Sequence, residues 1–286
     1  MSLWVAVPCG IGSALLYGAA TAVQHNAAHN DGAADARGLL RLLVDPRWLL
    51  SIGGDSLGLL LQVIALATGP VVLIQPLLVL ALPVSLPVGW LLGGPRPGRG
   101  DYLACGAILA GLAVFFVIVG DPGSGRPLGV RATVWLAAVT IVAGLAACLA
   151  VRGRGVTLRA GVFGGVAGSM FGVVGVLINE VAGHGFSGLK HSAGLVPLVG
   201  LIAVGGIGMT LTQLSFQIGA LGASFPANES AAPVVAVLLG GLLLHEHVPL
   251  SPLLGVAYAA CLVAIVLGAV RLANPSAPAP TPGAAQ

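Results

Sequence analysis

"FPANESAAP", residues 225–233, lies near the start of an apolar run over 222–244. It sets a glutamate between two prolines, and no Lys or Arg lies in the run to pair with it. An ionised acid at the centre of a membrane-spanning helix costs roughly 3 kcal/mol, so such residues face a cavity or a partner. Whether this run crosses a membrane therefore decides both the fold and the meaning of Glu229.

The rest of the chain answers the first part. Of 286 residues 57% are apolar and only 7% are charged, with a mean hydropathy of +1.02. Soluble domains carry about 25% charged residues. Nine apolar stretches are long enough to cross a ~30 Å hydrocarbon core. They are 3–23, 48–68, 70–93, 101–119, 131–150, 158–181, 193–218, 222–244 and 252–270. The first carries no basic leader and no clear cleavage site, and reads as a retained span. The segment 24–47 holds Asp31, Asp35, Asp45, Arg37, Arg41 and Arg47. Its "RGLLRLL" (37–43) fits a short amphipathic surface helix better than a tenth span, which would carry those charges through lipid.

With nine spans, one side holds Arg37, Arg41, Arg47, Arg96, Arg99, Arg152, Arg154, Arg159 and Arg271. The other holds Arg126, Arg131 and Lys190. The positive-inside rule predicts the first side, with the C-terminus, to be cytoplasmic and the N-terminus to be outside. No basic cluster of the nucleic-acid type is present. Cys9, Cys105, Cys148 and Cys261 all fall in apolar runs without CxxC spacing and read as small packing residues. The Pro/Ala-rich end, 271–286, predicts a disordered cytoplasmic tail.

The chain also repeats itself. A shift of 150 carries Gly58, Gly69, Pro76 and Pro83 onto Gly208, Gly219, Pro226 and Pro233. "QPLLVLALP" (75–83) thereby overlays "FPANESAAP". Five crossings separate the two copies, so the second enters from the opposite face, as in carriers with inverted repeats. The predicted architecture is an all-α polytopic membrane protein. A first repeat, 1–120, and a second, 158–270, flank a linking span within 121–157.

The candidate site follows from this overlay. Pro226, Glu229, Ser230 and Pro233 follow helical i, i+3, i+4, i+7 spacing and share a face. Pro233 has no N–H, so the carbonyl of Glu229 loses its helical donor. A carboxylate, a loosened carbonyl and a hydroxyl are oxygen ligands that suit cations. Asn228 and, from the other half, Gln75 with the kink prolines Pro76 and Pro83 complete the set. Asp55 lies near the start of the second span, with Gln62 two turns on along the same face. Gln213 and Gln217 either glue helices or line a path. Asn179 and Glu180 end the sixth span, where a polar helix end commonly meets water, and Gln24 and His25 take the matching place in the first. "HEH" (245–247) reads as an exposed loop. Its residues do not share a helix face, and it is not the HExxH of a zinc protease. Gly161, Gly164, Gly165, Gly168, Gly172 and Gly175 form overlapping GxxxG in the sixth span and predict close helix packing. No catalytic constellation or cofactor motif is visible, so an enzyme is not expected.

The stretch "PVVAVLLGGLLLHEHVPLSPLLGVAYAACLVAIVLG" (233–268) resembles the drug/metabolite transporter (EamA-like) superfamily. It has that family's proline-led penultimate helix, a terminal Glu at Glu246 and a glycine-containing last helix. "PVSLPVGWLLGGPRPGRGDYLACGAILAGLAVFFVIVG" (83–120) is similar to the same unit without the Glu. "ATGPVVLIQPLLVLALPV" (67–84) resembles the NIPA-like, magnesium-transporter-like branch, whose second-span acid falls by spacing on Leu59. The resemblance implies a helical carrier with a central cavity, often dimeric, moving small molecules. With no Arg or Lys inside the apolar spans, the expected solute is a small cation, a divalent metal ion or a proton. A broad metabolite or drug exporter and a non-transporting membrane scaffold are the alternatives. The expected partners are the solute, membrane lipid and a second copy of the chain.

Overall fold

The computed structural model describes residues 2–30, 46–94, 96–123, 125–188, 190–218 and 221–273. Among these residues the chain is helix and loop, with no strand. The helices are α1 (Leu3–Asn30), α2 (Pro46–Thr68), α3 (Val71–Leu77), α4 (Ala81–Leu91), α5 (Arg99–Val119), α6 (Val130–Ala150), α7 (Val156–Gly188), α8 (Ser192–Gln217), α9 (Leu221–Leu242) and α10 (Pro252–Ala273). A single 3-10 turn, Leu78–Leu80, joins α3 to α4, and the two form one span. Among the described residues nine helices are therefore long and apolar enough to cross a membrane. The expected surface helix at 37–43, the alternative tenth span through that segment and the tail beyond 273 lie outside the described residues.

The third span departs from regular α-helix at its middle, as its kink prolines predict. Pro76, Pro83 and Pro87 each remove a backbone donor within twelve residues. The carbonyl of Val79 loses its donor to Pro83, and the helix tightens there into 3-10 geometry.

The outer surface is as apolar as the core. Leu103, Val117 and Leu253 are 75%, 83% and 78% exposed, and similar side chains ring the bundle. In water such a surface would aggregate; in a bilayer it faces a solvent of its own kind. The chain reads as a multi-pass membrane protein.

α7 is the central post. It packs on α8, α9 and α6, and also touches α2 and α3. Its glycines explain how. A Cβ on Gly164 or Gly168 would overlap the backbone carbonyl of Ser224 or Asn228 on α9, and one on Gly172 would come 2.6 Å from the Ala232 carbonyl. Three glycines at four-residue spacing thus face three α9 residues at the same spacing. The expected close packing of the glycine ladder is found within the chain. Helix α1 approaches the third span similarly: a Cβ on Gly18 would lie 2.5 Å from the Ala81 carbonyl. α10 packs on α5 and α9, and α6 lies against α7 and α8.

The backbone contact at Gly168 yields a stability prediction. Gly168→Ala drives a methyl into the Asn228 carbonyl and should cost about 1–3 kcal/mol. At Gly165 the nearest atom to a Cβ is Ala227 Cβ at 3.9 Å, so Gly165→Ala should be neutral. Thermal melts of the two purified variants in detergent compare them directly.

Candidate functional site

The two ends of the bundle differ in chemistry. At the basic end lie Arg96, Arg99, Arg152, Arg154, Arg159 and Arg271; the other end, called acidic for its two buried acids Glu180 and Glu246, also carries Asp121, Arg126, Arg131 and Lys190. Glu229 lies between them within α9, about two turns in from Leu221.

The Glu229 side chain is half-buried, and no described residue gives it a hydrogen bond or an ion pair. It shares a helical stripe with Ala236 and Gly240, two and three turns toward the acidic end. Both are buried: Ala236 packs with Ile74 and Val176, and Gly240 meets Val72 and Glu246. The stripe thus faces the third span, sealed toward the acidic end and more accessible at Glu229. Ser230 donates its hydroxyl to the Pro226 carbonyl at 2.6 Å, one turn back on α9. Asn228 is buried against α7, and its Oδ1 has no partner.

Gln75 is buried on α3 directly over Gly175, where a Cβ would overlap its amide nitrogen. That Nε2 also lacks a partner. Two neighbouring contacts set how α3/α4 crosses α9. Pro76 and Pro233 line one cavity, while Phe225 packs on the cluster holding Val79 and Leu82. α9 packs chiefly on α3, the segment before the 3-10 turn.

The other sequence candidates separate from this group. Gln62 accepts a hydrogen bond from the Tyr17 hydroxyl at 2.9 Å, and the Tyr17 ring lies over Gly58. Asp55 belongs to the same α1–α2 interface and is engaged there. Gln213 and Gln217 are exposed on the outer face of α8, so neither lines an interior path in this structure. The side chains of Gln24 and His25 lie outside the described residues. Cys148 and Cys261 are buried and Cys9 and Cys105 half-buried, all as free thiols.

Two sequence readings are corrected. Of the "HEH" loop only the histidines are exposed; Glu246 is 4% exposed. His245 has φ 56°, which turns the chain so that the next side chain enters the bundle. Glu246 Oε1 accepts the Val71 N–H at 2.8 Å and Oε2 accepts the Val72 N–H at 2.7 Å. Pro70, the N-cap of α3, has no side-chain acceptor, so a carboxylate 175 residues away caps this helix instead. Burial raises the Glu246 carboxyl above the usual carboxylate range, and the two amides draw it partly back. Nor do Asn179 and Glu180 simply meet water. Glu180 is buried and accepts the Leu128 N–H at 2.9 Å, and the Asn179 amide donates to the Leu66 carbonyl. The terminal-Glu resemblance was the one signal that pointed to Glu246. At the basic end Asp101 accepts the Gly98 N–H at 2.8 Å and pairs with Arg271 at 3.3 Å, closing α5 onto α10. The spacing of Gly98 and Asp101 is that of a helix start, a signal the sequence reading passed over.

A cavity of about 360 Å³ lies between α3, α5, α9 and α10. Pro76, Pro233, Gly241 and Tyr258 form part of its wall, and Glu246 is the one charged residue lining it. Glu229 does not line it. Among the described residues no three His, Cys, Asp or Glu side chains gather as a metal cluster would.

No family model matches the chain, and no solved structure matches it. A protein named only as uncharacterized, from Corynebacterium glutamicum, is similar along nearly its whole length. The two are 28% identical over 286 residues, covering 95% of this chain and 96% of the relative.

The Glu246 cap can be tested by truncation. Glu246→Ala leaves two buried N–H groups without acceptors, at about 1–3 kcal/mol each. Glu246→Gln keeps a carbonyl oxygen for one of them. The melting temperature in detergent should fall in the order wild type, Glu246→Gln, Glu246→Ala.

Proposed function

We propose that the chain is a secondary transporter of the drug/metabolite transporter type, moving a small cationic solute by alternating access. Glu229 is the carboxylate that holds the solute or the coupling proton. One observation carries this reading: an interior acid without a partner among the described residues, on a helix that packs against the Pro76-bearing segment of the opposite half. An acid kept in a span without a structural partner is a functional group by default.

Several features support the inverted-repeat architecture behind it. α1 packs on α2 and on the third span; α7 packs on α8 and on α9. The third span meets α5 as α9 meets α10. Gly18 against Ala81 and Gly172 against Ala232 are matching close approaches in the two halves. The basic end is cytoplasmic on the positive-inside rule, which also places the C-terminus inside a cytoplasmic membrane. Access to Glu229 then comes from the cytoplasm, with the opposite side sealed. Asn228, Gln75 and Ser230 assist, with Asp55 and Gln62 stabilising the α1–α2 pair.

The apolar cavity favours a second reading, export of a solute with an apolar body. Pockets of about 300–1,000 Å³ with apolar walls and few polar groups are the usual small-molecule sites. Here Tyr258 and Phe115 would contact the body of the solute.

Flux in proteoliposomes tests the first reading. Glu229→Gln should lower uptake of the transported cation at least about tenfold, as expected for loss of the charge that holds it, and Glu229→Asp should retain part of it. Unchanged flux in Glu229→Gln removes Glu229 from the mechanism. Preserved flux of an apolar solute in that variant favours the second reading.

A further inference from the structure

We propose that the segment Val71–Leu77 is the gate at the acidic end of the bundle and that Glu246 is its latch. The segment is a discrete piece of helix. Gly69-Pro70 precedes it and the 3-10 turn Leu78–Leu80 follows it, so it has a joint at each end. All seven of its side chains are buried. The only side-chain acceptor on its first two amides is the Glu246 carboxylate.

The latch is itself firmly seated. The Leu244 carbonyl accepts the Arg126 N–H at 2.6 Å, and the His247 N–H donates to the Pro122 carbonyl at 2.8 Å. Gly125 packs within contact of Leu244 and Glu246, at distances where a Cβ would crowd both. The loop that carries Glu246 is thus tied to the connection before α6, while the helix it caps belongs to the opposite half. The bond can break by movement of α3 alone. The cleft of about 360 Å³ that borders both Pro76 and Glu246 opens to the outer surface past Leu238, Leu242 and Leu250 and leaves the segment room on that flank.

The device is one-sided. Under the 150-residue shift Glu246 falls on Arg96, and a guanidinium cannot accept an N–H. The start of α9, the counterpart of the start of α3, has no such carboxylate from that position. A carboxylate lock at the acidic end, unmatched at position 96, gives the bundle a resting state closed at that end. Opening would bring Gln75, with its unpartnered amide nitrogen, into contact with solution at that end.

The gate rests on the transport reading for its purpose, but its test needs no substrate. The full chain, with Cys9, Cys105, Cys148 and Cys261 replaced by alanine, receives Gln75→Cys. Sealed vesicles are treated from the acidic-end face with a membrane-impermeant maleimide. With Glu246 intact the introduced thiol should react slowly. With Glu246→Ala the rate should rise at least about tenfold, the factor that ~1.4 kcal/mol lost from the closed form produces. Ser215→Cys, buried on α8 away from the segment, should stay unreactive in both backgrounds. An unchanged rate at the Gln75→Cys position makes Glu246 a fixed cap and overturns the gate. An equal rise at both positions means general loosening and overturns it too. A selective rise in a protein whose flux ignores Glu229→Gln keeps the gate and removes the carrier role of Glu229.

Discussion

A backbone N–H in hydrocarbon must find an acceptor, and helix starts are where a bundle of spans has to supply one. Three carboxylates do that here. Glu246 takes the first two amides of the third span, Asp101 takes the Gly98 amide at the start of α5, and Glu180 takes the Leu128 amide just ahead of α6. Each acid sits where the positive end of a helix compensates it. Asp55 lies close enough to Tyr17 to act on it electrostatically. Glu229 is set apart by contrast: it lies within a helix, away from any such end, and no described side chain answers it.

The same requirement shapes the middle of the molecule. Prolines in the third span remove donors, and the chain responds with a 3-10 turn at Leu78–Leu80. On α9 the loss at Pro226 and Pro233 is absorbed within a continuous helix, with the Ser230 hydroxyl bonded to the Pro226 carbonyl. α9 can stay straight because Gly164, Gly168 and Gly172 hold its backbone against α7 over two turns. Over the first turns of the third span the close glycines, Gly10, Gly175 and Gly240, meet the side chains of Leu77, Gln75 and Val72 rather than backbone. One proline-marked helix is therefore braced and its partner jointed.

The sequence was clear on the elements and silent on their partners. The nine spans were legible because length and hydropathy act residue by residue, and lipid exposure demands both. The glycine ladder was legible as close packing, though not which helix it would meet. Glu246 was misread because its two neighbours are exposed and local patterns average over them. Gln62 shares a face with Asp55 as spacing requires, yet that face meets Tyr17 and belongs to another interface. Gln213 shows the same limit: helical spacing gives the face, and only the bundle says whether the face looks inward.

By itself the sequence determined an all-helical chain of membrane-spanning segments, an acid between two prolines with no basic residue in its run, and a proline-matched stretch 150 residues earlier. These are local properties of composition and period. The tertiary structure alone decided that the acids at 246 and 180 bind distant backbone amides while the one at 229 does not. Capping joins residues as far apart as Val71 and Glu246, and such contacts arise from the packing of whole helices, which local sequence does not encode.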